Sequence, residues 1–224
     1  MSGLQLVIFD LDGTLVDAYP AIVESFNHTM TRMRLPLKDP LTIKRAVGWG
    51  DTNLLKPFVG EKNIKKALRF YRRHHQYSLG RKTRFLPRAK GLLSFLKKKG
   101  YRLALASNRP ARFTRIILKH LAMNKYFDYV LCGDQLKKAK PHPDIILKIL
   151  KKLSVSSREA VFVGDMTVDV ISGKKAKVKT IAVLTGSSSK KEIQALKPFR
   201  MTRDLKEVKR FLRQDNGHLK GDSP

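Results

Sequence analysis

Residues 4–15 read Leu-Gln-Leu-Val-Ile-Phe-Asp-Leu-Asp-Gly-Thr-Leu, and this stretch decides the fold. Its first six positions (4–9) are nearly all apolar, the pattern of a strand buried on both faces of a parallel sheet. Asp10 and Asp12 follow two residues apart, so on an extended chain they project to the same side. Gly13 then lets the chain turn and leaves room for a ligand against the backbone. Four more apolar, β-branched runs lie at 101–106, 127–132, 160–163 and 178–184, with helical patterns at 87–99, 110–123, 144–153 and 167–175. In one of these helices Ile145, Ile146, Ile149, Leu150 and Leu153 make a single apolar stripe. Strands alternating with helices imply βαβ units, and so an α/β fold around a parallel five-stranded sheet.

About ninety residues separate the first strand from the second, far more than a βα crossover needs. The excess reads as helices: Ile22, Val23, Phe26, Met30 and Met33 form one stripe, and Ile64, Ala67, Leu68 and Tyr71 another, with Pro36 and Pro40 as breakers between them. The expected organisation is an α/β core of residues 1–15 and 83–212, an inserted helical cap of residues 16–82, and a polar tail at 213–224.

The chemistry-bearing residues fall just past the carboxyl ends of predicted strands, the edge where open α/β sheets bind ligands. Asp10 and Asp12 follow the first strand, and Ser107 and Asn108 the second. Lys140 lies beyond the third, and Asp165 follows the fourth with Asp169 one helical turn on. Paired carboxylates suit a nucleophile beside a general acid/base. Carboxylates gathered with few other ligands suit Mg²⁺, a hard ion that takes oxygen donors and keeps several waters. Asp165 and Asp169 also suit the opening of a helix, by capping and by the helix dipole. Ser107 and Asn108 offer hydroxyl and amide donors, and Lys140 a point charge for a phosphate oxygen. In the insert, Gly48-Trp49-Gly50-Asp51 reads as a tight loop between helices. The chain's one Trp either meets substrate there or packs inward.

Taken in order, Asp10-x-Asp12-Gly13-Thr14, the strand ending at Ser107, Lys140, and Gly164-Asp165-x-x-x-Asp169 resemble the four motifs of the haloacid dehalogenase-like hydrolases. Residues 15–28 and Lys140-Pro-His-Pro-Asp144 are similar to the phosphoglycolate phosphatase branch, whose helical cap follows the first motif. The resemblance spans about residues 4–210 and implies a Rossmann-like core. It also implies Mg²⁺-dependent hydrolysis of a small phosphorylated metabolite, with Asp10 as nucleophile and Asp12 as general acid/base. Asp10, Asp165 and the backbone carbonyl of Asp12 would hold the metal. Ser107, Asn108, Lys140 and the backbone at Leu11 would hold the phosphoryl group, and Asp169 would orient Lys140 or the metal's waters. The cap loop, with Gly48 and Trp49, would meet the leaving group. Relatives that cleave carbon–halogen or carbon–phosphorus bonds lack the second Asp, so Asp12 argues against both. Phosphosugar mutase relatives carry a cap His where this chain has Ile22. A pyrophosphatase, or a nucleotide or sugar phosphatase, stays open beside phosphoglycolate.

Charge sets this chain apart. Its 47 Lys and Arg against 18 Asp and Glu give a net charge of +29. Residues 62–127 hold twenty basic residues and no acid. That balance favours anionic partners, and weak nonspecific nucleic-acid binding is the alternative of a different class. A lone cysteine, Cys132, excludes an internal disulfide, and no apolar run suits a membrane span, so a cytoplasmic enzyme is expected.

Overall fold

The computed structural model describes residues 3–214. Strand β1 (Leu6–Phe9) ends directly in Asp10. The short β2 (Val16–Asp17) then carries the chain into four helices, α1 (Tyr19–Met33), α2 (Pro40–Arg45), α3 (Asp51–Val59) and α4 (Ile64–Lys82). Strand β3 (Arg84–Phe85) brings it back, pairing antiparallel with β2. Helices and strands alternate from there: α5 (Ala89–Lys98), β4 (Arg102–Ser107), α6 (Ala111–His120), β5 (Tyr129–Cys132), α7 (Asp144–Leu153), β6 (Ala160–Gly164), α8 (Thr167–Lys175) and β7 (Lys179–Val183). The run closes with α9 (Lys190–Ala195), β8 (Arg200–Thr202) and α10 (Leu205–Gln214).

The main sheet is parallel, in the order β5-β4-β1-β6-β7-β8. It therefore has six strands, one more than the five expected. The sixth, β8, is Arg-Met-Thr at the sheet edge with only Thr202 buried. A three-residue edge strand buried on so little of its length carries no apolar run to read. The β2–β3 ribbon was equally silent, at two residues per strand.

Alternation along β1 divides the core. Val7 and Phe9 pack with Leu103, Leu105 and the α5, α6 and α10 side chains on one face. Leu6 and Ile8 pack with Ala104, Phe162 and the Ile145–Ile149 stripe of α7 on the other. Both faces of the sheet are covered, which is why its strands read as continuous apolar runs. The chain moves outward from β1 through β4 to β5, then returns to β6 on β1's other side. The strand order thus reverses beside β1, and a crevice opens at its carboxyl end.

The inserted helices have their own apolar cluster, centred on Phe26, Met30, Ile43, Leu55, Ala67 and Tyr71. The Phe58 ring meets Phe26 edge-on at 5.0 Å. Of the polar tail expected at 213–224, residues 213 and 214 complete α10, and 215–224 lie outside the described residues. Among the described residues no helix is long and apolar enough to cross a membrane.

Candidate active site

Asp10, Ser107, Lys140 and Asp169 line one cleft at the carboxyl end of β1, together with Asp12, Asn108 and Gly48; Asp165 is fully buried beside it. The cleft encloses about 570 Å³ including its open mouth, a volume suited to a small molecule.

Lys140 is the hub. Its ammonium donates to Asp10 Oδ1 at 2.6 Å, Asp169 Oδ1 at 2.7 Å and the Ala106 carbonyl at 2.8 Å. All three N–H bonds are thereby used, and gripping a phosphoryl oxygen requires one of them to be given up. Burial pulls this ammonium toward neutrality, but the Asp10 and Asp169 carboxylates outweigh it and hold the lysine above its ordinary value. Burial pushes the Asp10 carboxyl up to about 7, with Lys140 pulling against it. Burial, and then the neighbouring Asp10 and Asp169, push the Asp165 carboxyl well above the ordinary carboxylate range.

Asp169 sits in the first turn of α8, and its Oδ2 accepts from the Asp165 and Met166 N–H groups at 3.1 and 3.0 Å. Helix capping and the orientation of Lys140 are thus done by the same carboxylate. A Cβ on Gly164 would collide with it, so this glycine is what lets Asp169 lie against β6.

Carboxylate oxygens of Asp10, Asp165 and Asp169 all lie within 4.8 Å of one another. Thr14 donates to Asp165 Oδ1 at 2.6 Å. Asp165 Oδ2 is buried with no hydrogen-bond partner among the described residues, and so is the Tyr19 hydroxyl. A Cβ on Gly13 or Gly186 would run into the Asp165 carboxylate. An orphaned anionic oxygen among all-oxygen donors, with the surrounding backbone kept bare, fits a hard divalent cation.

The remaining expected site residues divide. Ser107 is buried in the cleft, its Oγ accepting from the Arg109 N–H at 3.1 Å. The Asn108 side chain ties the loop between the inserted helices α2 and α3 to the sheet edge, donating to the carbonyls of Gly48 at 3.0 Å and Lys140 at 2.9 Å. Gly48 lines the cleft, whereas Trp49 stands 47% exposed and is not among the lining residues. Leu11 buries its side chain in the core, so only its backbone can face a ligand. The Asp12 side chain takes no part in the acidic cluster: both its oxygens are held by Arg109, Nε to Oδ2 at 2.8 Å and Nη2 to Oδ1 at 2.9 Å.

Thr14 stands in the first motif with no role assigned to it, and neither Arg109 nor Tyr19 carries a signal of its own in the sequence. Arg109 was one cation among twenty in a run without acids, and only its place directly after Ser107-Asn108 marked it. Its Nη1 also meets His75 Nε2 of α4 at 2.6 Å, and His75 Nδ1 lies 3.1 Å from Ser25 Oγ. Since Arg can only donate, Nε2 accepts and Nδ1 carries the proton toward Ser25, whose own hydroxyl donates to the Ala21 carbonyl. Burial, then Arg109, hold His75 well below the ordinary histidine value, in keeping with this neutral tautomer.

Comparison with known proteins agrees with this geometry. Residues 7–183 match the family model described as haloacid dehalogenase-like hydrolase. A phosphoglycolate phosphatase of Aquifex aeolicus is 31% identical over 183 residues, covering 82% of this chain and 86% of the relative. One of Psychrobacter arcticus is 31% identical over 205 residues, covering 87% and 89%. The crystal structure of a predicted phosphoglycolate phosphatase from Haemophilus somnus superposes with a TM-score of 0.89 at 26% identity, covering 95% of this chain and 99% of that one. Six-stranded core, strand-end carboxylates and family match coincide on the same residues, and the chain belongs to the haloacid dehalogenase-like hydrolases.

Proposed function

We propose that this hydrolase is a cytoplasmic, Mg²⁺-dependent phosphomonoester phosphatase, with 2-phosphoglycolate as the leading substrate and residues 16–82 acting as its cap. One observation carries the reading: the Asp10 carboxylate is buried at the end of β1, bonded to Lys140 and clustered with Asp165. The phosphoglycolate phosphatases among the relatives supply the substrate. The lone, buried Cys132 suits a reducing compartment.

Asp10 attacks phosphorus, forming a P–O bond to its carboxylate while the ester P–O bond breaks. Asp12 gives the leaving oxygen its proton. Asp12 then takes a proton from water as that water attacks phosphorus, the aspartyl P–O bond breaks, and inorganic phosphate leaves. Asp10, Asp165 and the Asp12 backbone carbonyl would hold Mg²⁺, which supplies charge neutralisation for the phosphoryl oxygens. Ser107, Lys140 and the backbone at Leu11 position those oxygens, and Asp169 keeps Lys140 in place. The cap covers the leaving-group side with Gly48, Ile22, Val47, Leu54 and Tyr71.

A panel of phosphorylated metabolites, with and without Mg²⁺, tests this reading. Mg²⁺-dependent release of phosphate, fastest from 2-phosphoglycolate, is expected. A best rate on pyrophosphate, a nucleotide or a sugar phosphate moves the substrate, and activity equal with chelator removes the metal.

A second reading has its own observation. On α4, Arg69, Arg73 and Arg81 lie at four-residue spacing with Tyr77, which is 66% exposed and has the Arg81 guanidinium over its ring. Such a row, about 6 Å per step along the helix, suits a nucleic-acid backbone. Binding to mixed-sequence RNA or DNA that falls steeply with salt supports it, and no binding at low salt ends it.

A further inference from the structure

Buried arginines need an anion, and in this cleft Asp12 supplies it. The Arg109 side chain is only 7% exposed, yet it lines the same cleft as Asp10, Ser107 and Lys140. Arg109 and Lys140 are the two cations among the described lining residues, and Lys140 has its three donors committed to protein oxygens. Ile22, Val47, Leu54 and Tyr71, on the cap side, offer an anion no positive charge, and the one carboxylate lining that side, Asp51, is already paired with Arg72 at 3.1 Å.

The fork of Arg109 is set in place from two sides. Its backbone follows the end of β4, where its N–H bonds Ser107 Oγ. Its Nη1 donates to the neutral His75 of α4, itself fixed by Ser25 and stacked on the Tyr71 ring at 4.8 Å. The Nε–Nη2 edge of the guanidinium makes the paired contacts that suit a carboxylate, and the carboxylate in them is that of Asp12. Arg109 occupies one lone pair on each Asp12 oxygen, so a proton carried at either of those positions needs that contact to open.

We infer that Arg109 is the residue that reads the non-reacting end of the substrate: it binds a carboxylate carried by the leaving group, and Asp12 occupies its fork until that carboxylate arrives. This rests on the phosphatase reading above and narrows its substrate to phosphomonoesters of small hydroxy acids. The exchange conserves the buried ion pair, because one carboxylate replaces another on the same guanidinium. A phosphate ester with an uncharged tail offers no replacement, and its binding leaves Asp12 tied. Recognition of the acid group and release of Asp12 are therefore one event.

The test is a pair of non-hydrolysable ligands that differ in the carboxylate, 3-phosphonopropionate and propylphosphonate, titrated calorimetrically into the full chain with Mg²⁺. The wild type is expected to prefer the carboxylate-bearing ligand by about tenfold or more, the scale of a charged bidentate contact. In Arg109→Leu the ratio of the two affinities falls to about 2 or less. Arg109→Lys, which keeps the charge and loses the fork, falls between and covers the case in which the leucine variant does not fold. An affinity ratio that survives in both variants, or no preference in the wild type, overturns the inference. Equal weakening of both ligands with the ratio intact makes Arg109 a structural tie between cap and core. The phosphatase reading fails separately, on absence of phosphate release across the metabolite panel, whatever this ratio is.

Discussion

The carboxyl edge of the sheet and the interior of the cap are both buried, but they are filled by opposite means. The cap interior is apolar, built on Phe26, Met30, Leu55 and Tyr71, and the neutral His75 imidazole stacks on the Tyr71 ring. The sheet edge puts Asp10, Asp165 and Asp169 within 4.8 Å of each other with one ammonium between two of them. Like charges so close, out of water, cost stability unless a further cation joins them. One region is built to hold the fold, and the other gathers negative charge suited to a divalent cation.

The largest break in this contrast comes from Asp165→Asn. Removing one of the crowded carboxylates is expected to cut divalent-ion affinity and phosphatase turnover by about a thousandfold or more. It should also raise the metal-free chain's stability by about 1–2 kcal/mol, since a neutral amide no longer adds to the crowded carboxylates and its N–H can donate to them. Calorimetric Mg²⁺ titration and urea melts of the apo variant check both halves. Lower apo stability would mean the carboxylate is structural.

Leu55→Ala opens a hole in the cap and is expected to cost about 2–5 kcal/mol. Hydrogen exchange should show the loss in α1, α3 and α4, with β1, β4 and β6 still protected. Uniform loss across both would show that cap and core unfold as one unit.

Much of this contrast was legible beforehand, for physical reasons. Buried parallel strands read as apolar runs, and the carboxylates that end them stand out because the chain has only 18 acids. Asp10, Lys140, Asp165 and Asp169 could therefore be assigned to one crevice from their places after strands. What was not legible depends on pairing across distance. Arg109 and Asp12 are 97 residues apart, and nothing in a run of twenty cations says which one turns inward. Nothing local marks His75 as buried, because Ser25 and Phe113, which meet its ring, come from two other helices. Trp49 was open to either reading, and the loop's geometry turns it outward. The edge strand β8 is too short for its pattern to separate from a turn.

The smallest effect separates the two regions by the sign of their pH response. His75 titrates in the folded chain well below its ordinary value, from burial and the facing Arg109, His74 and Arg112. The unfolded chain therefore binds its proton more readily. The cap loses stability as pH falls below about 6.5, by up to about 1.4 kcal/mol per pH unit. Asp10 runs the other way. Its folded value near 7 means the ion-free core is steadied at acid pH and loses that stability as pH rises from about 4 to 7. Melts of the wild type and His75→Gln between pH 7.5 and 5 in chelator, compared pairwise, isolate the histidine. Parallel curves for the two proteins would contradict it.

If Asp10 takes the phosphoryl group, it carries phosphorus covalently during turnover. The direct measurement is rapid acid quenching of the enzyme during turnover of a phosphomonoester, followed by borohydride reduction and peptide mass spectrometry. An aspartyl phosphate is reduced to homoserine, so the account predicts that modification at Asp10, present only with Mg²⁺ and absent in Asp10→Asn. Turnover with no modification, or with modification at another carboxylate, would contradict it.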